Sequence, residues 1–475
     1  MIDNIKLANY KSFFADQVKE AIDEQQKINR SQMRNLFKTG ELSLAYVDSI
    51  QHETGMIILK CPRRMAPRLK VLKGVCIIKK GAKQALGEHV TEWICRWDEF
   101  VDNKDFHSSG SDMTPMYYVH TGDSNYDYVA CSGFSFKLYD ILSKALVDGK
   151  SLSLIVHNPF PPVEYFRNLA SYMDAFSSND ELNLEPTIDY EEWTPEELAF
   201  DEQKPTGISD TIIDTLANEH CCIVQGPPGT GKSYTIASVI SSYLDAGKTV
   251  CVTTMANKGL IELIKQKPLQ KYVKEGRVSK TNLSIDERKQ VSGVKAASAD
   301  LQVPGGEMLC ATNYQLSSVF SEKKMTLYGL PQYDLVVIEE ASQAFLTAIV
   351  AFKQLGIDCL IVGDPMQLPP IVKLNNPQYN SWNVATQVEG LKSMVLGTSI
   401  KSYRIVTTFR LTSRSASLTK CFYGNRFVSV KQDYLDFTKA NSVLFPQDGG
   451  VLYHCTLDVR NGVYSDKADA IIRDV

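Results

Sequence analysis

Near the start of the chain, apolar residues recur at helical spacing. Phe13, Phe14, Val18, Ala21 and Ile22 fall on one face, with polar and charged residues between them. The spacing predicts a long amphipathic helix over residues 9–37, ending near Gly40. From residue 41 the period shortens. LSLAYVDSI, the turn HETG and MIILKC predict a hairpin, and short strand-like runs such as MYYVHT and YDYVACSGF continue to about residue 135. PPVEYFRNLASYMDAF predicts a second helix over 161–176. The stretch 177–206, with Pro186, Pro195, Pro205 and a crowd of acidic residues, reads as a linker. From 207 onward short apolar runs alternate with helical ones: CCIVQ (221–225), KTVCVTTM, DLVVIEE (334–340) and CLIVGD (359–364). Strands of this kind belong to a parallel sheet covered by helices on both faces.

The length, 475 residues, leaves room for roughly two to four domains. No apolar run reaches the ~20 residues of a membrane span, and the charged N-terminus does not read as a signal peptide. The cytosol is therefore the expected compartment. Eleven cysteines without a C-x-x-C pair, and seven scattered histidines, predict reduced core thiols rather than a zinc site. A net charge of −4 gives no global attraction to nucleic acid. Local charge changes that picture. Between Lys60 and Lys83 lie nine basic residues and no acidic one, which makes Arg63, Arg64 and Arg68 candidate phosphate contacts.

The chemistry concentrates after CCIVQ. GPPGTGKS, Gly226–Ser233, matches G-x-x-x-x-G-K-[ST] in full, between a buried strand and a helix. Gly226, Gly229 and Gly231 let the backbone, with Pro227, Pro228 and Thr230, curl so that N–H groups face phosphate oxygens. The helix N-terminus adds partial positive charge there. Lys232 reaches the β- and γ-phosphates, Ser233 ligates magnesium, and Tyr234 completes the nucleotide-binding set. Such a loop needs carboxylates at the end of a neighbouring strand. VVIEEASQ supplies Glu339 and Glu340, and GDPMQLPP adds Asp364 and Gln367, the latter able to sense the γ-phosphate or orient water.

Together these motifs resemble superfamily 1 helicases, and within them the branch of the nonsense-mediated-decay helicase, which tracks RNA or DNA 5′ to 3′. GPPGTGKS is similar to its motif I, IEEASQ to motif II and GDPMQLPP to motif III. The resemblance implies ATP and Mg²⁺ as cofactors, Glu339 near the metal in place of the usual Asp, and Glu340 as the base. VTTMANKG resembles motif Ia, which makes Asn257 a nucleic-acid contact, and CATNYQL implies the same for Thr312. TTFRLTSRSASLTKCFYGNRF resembles the segment opening the second RecA-like domain; it places Arg410 at the γ-phosphate, with Thr408 where a Gln is usual.

The implied architecture is α/β: a P-loop RecA-like parallel-sheet motor with an N-terminal helical stalk, a small β-barrel and a partial second RecA-like domain. Residues 1–40 and 155–180 form the stalk, 41–150 the barrel and 181–206 the linker. Residues 207–395 form the first RecA-like domain, with an insertion at about 264–306, and 396–475 begin the second. Motifs V and VI have no counterpart before Val475, so a completing chain or partner protein is expected. The expected activity is an ATP-dependent helicase or translocase on single-stranded RNA or DNA, with no membrane partner. The alternative is a nucleotide-binding switch or scaffold with weak hydrolysis.

Overall fold

The computed structural model describes residues 4–32, 34–36, 43–53, 56–62, 75–79, 116–119, 125–131, 140, 143–144, 153–157, 163–177, 179–184, 193–283, 285–299, 302–325, 330–372 and 382–431. At its centre nine strands form one sheet. They are β7 (Glu196–Leu198), β8 (Cys221–Gln225), β9 (Val250–Thr254), β10 (Val278–Thr281), β11 (Lys295–Ala297), β12 (Met308–Thr312), β13 (Tyr333–Ile338), β14 (Gly356–Gly363) and β15 (Lys401–Ile405). Their order is β11-β10-β12-β9-β13-β14-β8-β15-β7, with every pairing parallel. This is the parallel sheet that the alternation of apolar runs predicts, and the α/β RecA-like sheet that the resemblance implies.

Why these runs become central strands is visible in β8. All five of its residues are buried. Cys221 and Ile223 point into one core, and Cys222 and Val224 into the other. A strand's side chains alternate between faces, so a sheet covered twice needs a continuous apolar run. One face carries α3 (Gly207–Glu219), α4 (Lys232–Asp245) and α5 (Asn257–Ile264), through Leu216, Ile240 and Leu260. The other carries Leu346–Lys353 together with α1 (Asn4–Asn29) and α2 (Glu164–Ala175). Each large apolar side chain buried this way contributes about 1.5–3 kcal/mol.

Helix α1 begins five residues before its apolar periodicity and ends at Asn29, well short of Gly40. Its first turn is held by a contact outside the pattern: the Lys6 ammonium donates to the carbonyl of Leu184. Phe13 and Phe14 then pack against Phe345 at ring distances of 5.9 and 5.5 Å, both edge-on. Tyr165 of α2 joins the same cluster. The helix pair is thereby docked on the central sheet by aromatic contacts.

A separate six-stranded antiparallel sheet has the order β3-β6-β1-β2-β5-β4. Its strands are β1 (Ser43–Gln51), β2 (Met56–Pro62), β3 (Val75–Lys79), β4 (Met116–Val119), β5 (Tyr126–Cys131) and β6 (Ser153–His157). The predicted hairpin is β1–β2, paired from Tyr46↔Lys60 to Gln51↔Met56 with a one-residue register shift between Val47 and Ser49. Among the described residues no pairing joins β3 to β4. The closing segment SDKADAIIRDV lies outside the described residues. Among the described residues no helix is long and apolar enough to cross a membrane.

Register fixes where chemistry can occur. Gly363 pairs with Gln225, Ile338 with Ile361, Thr253 with Ile338, and Thr312 with Thr254. The carboxyl ends of β8, β14, β13, β9 and β12 therefore form one edge, the position where open α/β sheets bind ligands.

Candidate functional site

The loop Gly226–Ser233 leaves β8 and enters α4 at this edge. Gly229 and Gly231 have φ of 79° and 78°, the left-handed region that glycine enters without steric cost. A Cβ on Gly226 would meet Lys232 Cγ at 2.4 Å, and one on Gly229 would meet Arg410 Cβ at 2.3 Å. Both glycines are thus required by close approach. The Thr230 hydroxyl donates to the Pro227 carbonyl at 2.9 Å, which pins the curl from within.

Lys232 folds back over the loop and donates to the carbonyls of Gly226 and Pro227. Burial pushes its ammonium below the usual lysine range; Asp364, Glu339 and Glu340 pull it back up, and Arg410 lowers it. One lysine therefore feels three carboxylates and an arginine supplied by separate parts of the chain.

Ser233 donates to Glu339 Oε1 at 3.1 Å. The strand bearing Glu339 is not the immediate neighbour of β8, as the sequence suggests; β14 lies between β8 and β13. The two still meet, because Ser233 stands on the first turn of α4, which projects beyond the strand ends. Glu339 is 6% exposed, and its Oε2 is buried without a hydrogen-bond partner. Burial raises its carboxyl to about 7; the Ser233 bond and Lys232 oppose the rise, and Glu340 adds to it.

Glu340 leaves the strand with φ of 53°. A non-glycine residue held there costs about 1–2 kcal/mol, a strain kept where a side chain must be re-aimed. The turn aims Glu340 across the sheet edge, where Thr254 donates to its Oε2 at 3.5 Å. Asp364 ends β14, 3% exposed, and accepts from the Met366 N–H at 3.1 Å and the Tyr423 hydroxyl at 3.0 Å. Exposed Gln367 lies over it, its Nε2 donating to Asp364 Oδ2 at 3.3 Å.

The segment after β15 closes the other side. The Phe409 N–H donates to the Gly229 carbonyl at 2.8 Å, and the Thr408 hydroxyl to the Pro228 carbonyl at 3.2 Å. Phe409 packs edge-on against Phe200 with ring centroids 5.0 Å apart. A cavity of about 690 Å³ lies between this pair and the loop, bordered by Pro205, Ser209, Lys232, Tyr234 and Arg410. Arg410, Lys232, Ser233 and Tyr234 are thus brought to one cavity. Sequence analysis did not single out Phe200, Thr254 or Tyr423; Thr254 and Tyr423 lie inside VTTMANKG and TTFRLTSRSASLTKCFYGNRF, and Phe200 in the acidic stretch carries no signal.

Asn257 and Thr312 stand further along the same edge, at the starts of α5 and of the short helix Asn313–Leu316. Arg63, Arg64 and Arg68 lie outside the described residues. Among the described residues no group of three or more His, Cys, Asp and Glu side chains could hold a metal.

Ionising a carboxyl held at about 7, against 4.5 for a free glutamate, costs the fold on the order of 3 kcal/mol at about 1.4 kcal/mol per unit. The folded state prefers the protonated form, so this stability is complete below the unfolded value and is lost as pH rises through 7. Glu339→Gln should therefore raise the melting temperature of the nucleotide-free protein at pH 8 and leave it nearly unchanged at pH 5. Melting curves at the two pH values check this.

Fold and site together define an α/β P-loop domain built on a RecA-like sheet. Residues 209–373 match the family model described as AAA domain. The chain is 29% identical over 245 residues to the DNA replication ATP-dependent helicase/nuclease dna2 of Schizosaccharomyces pombe, covering 47% of this chain and 16% of that protein. It is 26% identical over 207 residues to the DNA replication ATP-dependent helicase/nuclease DNA2 of Saccharomyces cerevisiae, covering 41% and 12%. The chain thus spans less than a fifth of the length of these curated relatives. Among solved structures, the Pif1 helicase from Candida albicans is 18% identical with a TM-score of 0.24, covering 42% of this chain and 39% of that one.

Proposed function

We propose that the chain is the ATP-driven motor of a superfamily 1 helicase or translocase, moving 5′ to 3′ on single strands as the nonsense-mediated-decay branch does. The observation that carries this reading is the bond from Ser233 to Glu339. It joins the phosphate loop to the buried Glu339 carboxyl, beside half-buried Glu340, beyond the next strand.

Magnesium fits these residues. The unpartnered Glu339 Oε2 and the Ser233 hydroxyl are hard oxygen donors, and magnesium takes few protein ligands because it keeps water and phosphate oxygens. When bound, the ion neutralises charge on the triphosphate. This chain's residues do the rest. The loop N–H groups and Lys232 hold the phosphates, and Glu340 takes the proton of the attacking water. Gln367 orients that water, and Arg410 stabilises the charge that develops on the γ-phosphate. The relatives are named as DNA replication enzymes, which supports DNA as the strand.

Phosphate release measured with and without single-stranded DNA and RNA homopolymers tests the reading. Turnover should rise with the strand, more with DNA than with RNA. Unchanged turnover with both would sink it. Arg410→Ala should leave ATP affinity intact while slowing turnover; equal turnover in the variant would show that Arg410 does not act on the γ-phosphate.

A further inference from the structure

Strand β10 carries a lysine where a core strand should carry an apolar side chain. Lys280 is fully buried, in line with Cys310 of the next strand. A buried ammonium must be paired and hydrogen-bonded to be tolerated. It donates to Asn257 Oδ1 at 2.7 Å, to the Thr281 carbonyl at 3.1 Å and to Glu287 Oε2 at 3.4 Å. Glu287 itself is 8% exposed and comes from the helix Ile285–Gln290. The charge pair is thus balanced inside the fold. The one neutral side chain among the three partners, Asn257, is the first residue of α5, at the edge of the sheet.

The contact has a consequence for Asn257. An ammonium has donors only, so the carboxamide oxygen must face Lys280 and the Nδ2 donors must occupy the opposite arm. The same edge holds a second polar link. The Thr281 hydroxyl donates to Gln315 Oε1, which also accepts from the Thr312 N–H at 3.3 Å; Gln315 N–H donates back to Thr312 Oγ1 at 3.4 Å. Thr312 therefore spends its oxygen on a cap and keeps its hydroxyl proton to donate. Adjacent residues of β10 thus hold the Asn257 and Thr312 side chains at the carboxyl edge with donors left over, Thr312 being 5% exposed there. Backbone phosphate offers acceptors only, and such contacts fix the register of a strand without reading its bases.

We infer that Lys280 is a positioning residue for the nucleic-acid strand: it holds the Asn257 carboxamide so that its N–H groups, beside the Thr312 hydroxyl, bind a backbone phosphate. This rests on the motor reading and adds to it a residue that never touches the strand. A hydrogen bond from a fixed donor to a charged acceptor is worth roughly ten- to hundredfold in affinity.

The test is a double-mutant cycle read by the anisotropy of a labelled oligothymidylate. Lys280→Met with Glu287→Gln removes both buried charges together, so neither is left unpaired. In the wild-type background the pair should weaken binding about tenfold. On Asn257→Ala it should weaken binding no further, because the group it positions is gone. Equal losses in both backgrounds, or no loss in either, would overturn the inference. Asn257→Asp covers the case in which the charge-neutral pair does not fold. It keeps the bond to Lys280 but replaces the donor arm with a carboxylate oxygen, so it should bind the strand more weakly than Asn257→Ala; wild-type affinity in Asn257→Asp would equally overturn it. A wild-type protein that binds no single strand sinks the motor reading and this inference with it. Wild-type binding with an additive cycle sinks the role of Lys280 alone.

Discussion

Replacing Lys232 by alanine should cost about a thousandfold in kcat/KM for ATP and nearly all nucleotide affinity. Removing one preorganised donor from a developing oxyanion costs about 10²–10³ in rate, and Lys232 contributes binding as well. The fold should survive. Lys232 begins α4 rather than sitting inside it, and among the described residues its side chain bonds to the two loop carbonyls of Gly226 and Pro227. Titration of a fluorescent ATP analogue, with circular dichroism as the check on folding, measures the effect. Wild-type affinity in the variant would mean that the triphosphate sits elsewhere.

Glu340→Gln should behave differently, leaving ATP bound while turnover falls roughly 10²–10⁴-fold, the range of a general base. The distinction from Glu339 follows from their surroundings. Glu339 is buried, bonded to Ser233 and raised to about 7, a carboxyl that becomes fully anionic only when a cation or a rise in pH compensates. Glu340 is turned out of the strand by its left-handed backbone and touched by the Thr254 hydroxyl. The proposed function therefore gives the metal to Glu339 and the water to Glu340. Single-turnover phosphate release beside equilibrium binding separates the two. Equal loss of binding and turnover in Glu340→Gln would assign it to the metal instead.

The cradle was legible in the sequence because its parts are local. Gly226, Gly229, Gly231, Lys232 and Ser233 act within one turn, and both flanking elements follow from the apolar run CCIVQ and the helical pattern after it. Strand order was not legible. A doubly covered strand is apolar throughout, so β8, β9, β13 and β14 look alike and nothing local says that β14 separates the two halves of the site. The contacts of Thr408 and Phe409 to the loop span about 180 residues, and Phe200 is close to Phe409 only because β7 pairs with β15. Strand β7 itself is three residues inside an acidic segment, too short to show a period. Lys280 was hidden for a related reason. Within 264–306, read as an insertion, β10 and β11 extend the main sheet, and a lysine in such a stretch reads as solvated until its three acceptors are seen.

The central claim is that Lys232, Ser233 and Glu339 form a single site for a triphosphate and its metal. Calorimetric titration of the wild-type protein with ATP, with and without magnesium, at pH 6 and pH 8, tests it most directly. Affinity should tighten with magnesium, and the gain should be larger at pH 8, where Glu339 no longer needs to lose a proton to the solvent before meeting the ion. An ATP affinity indifferent to magnesium at both pH values would contradict the account.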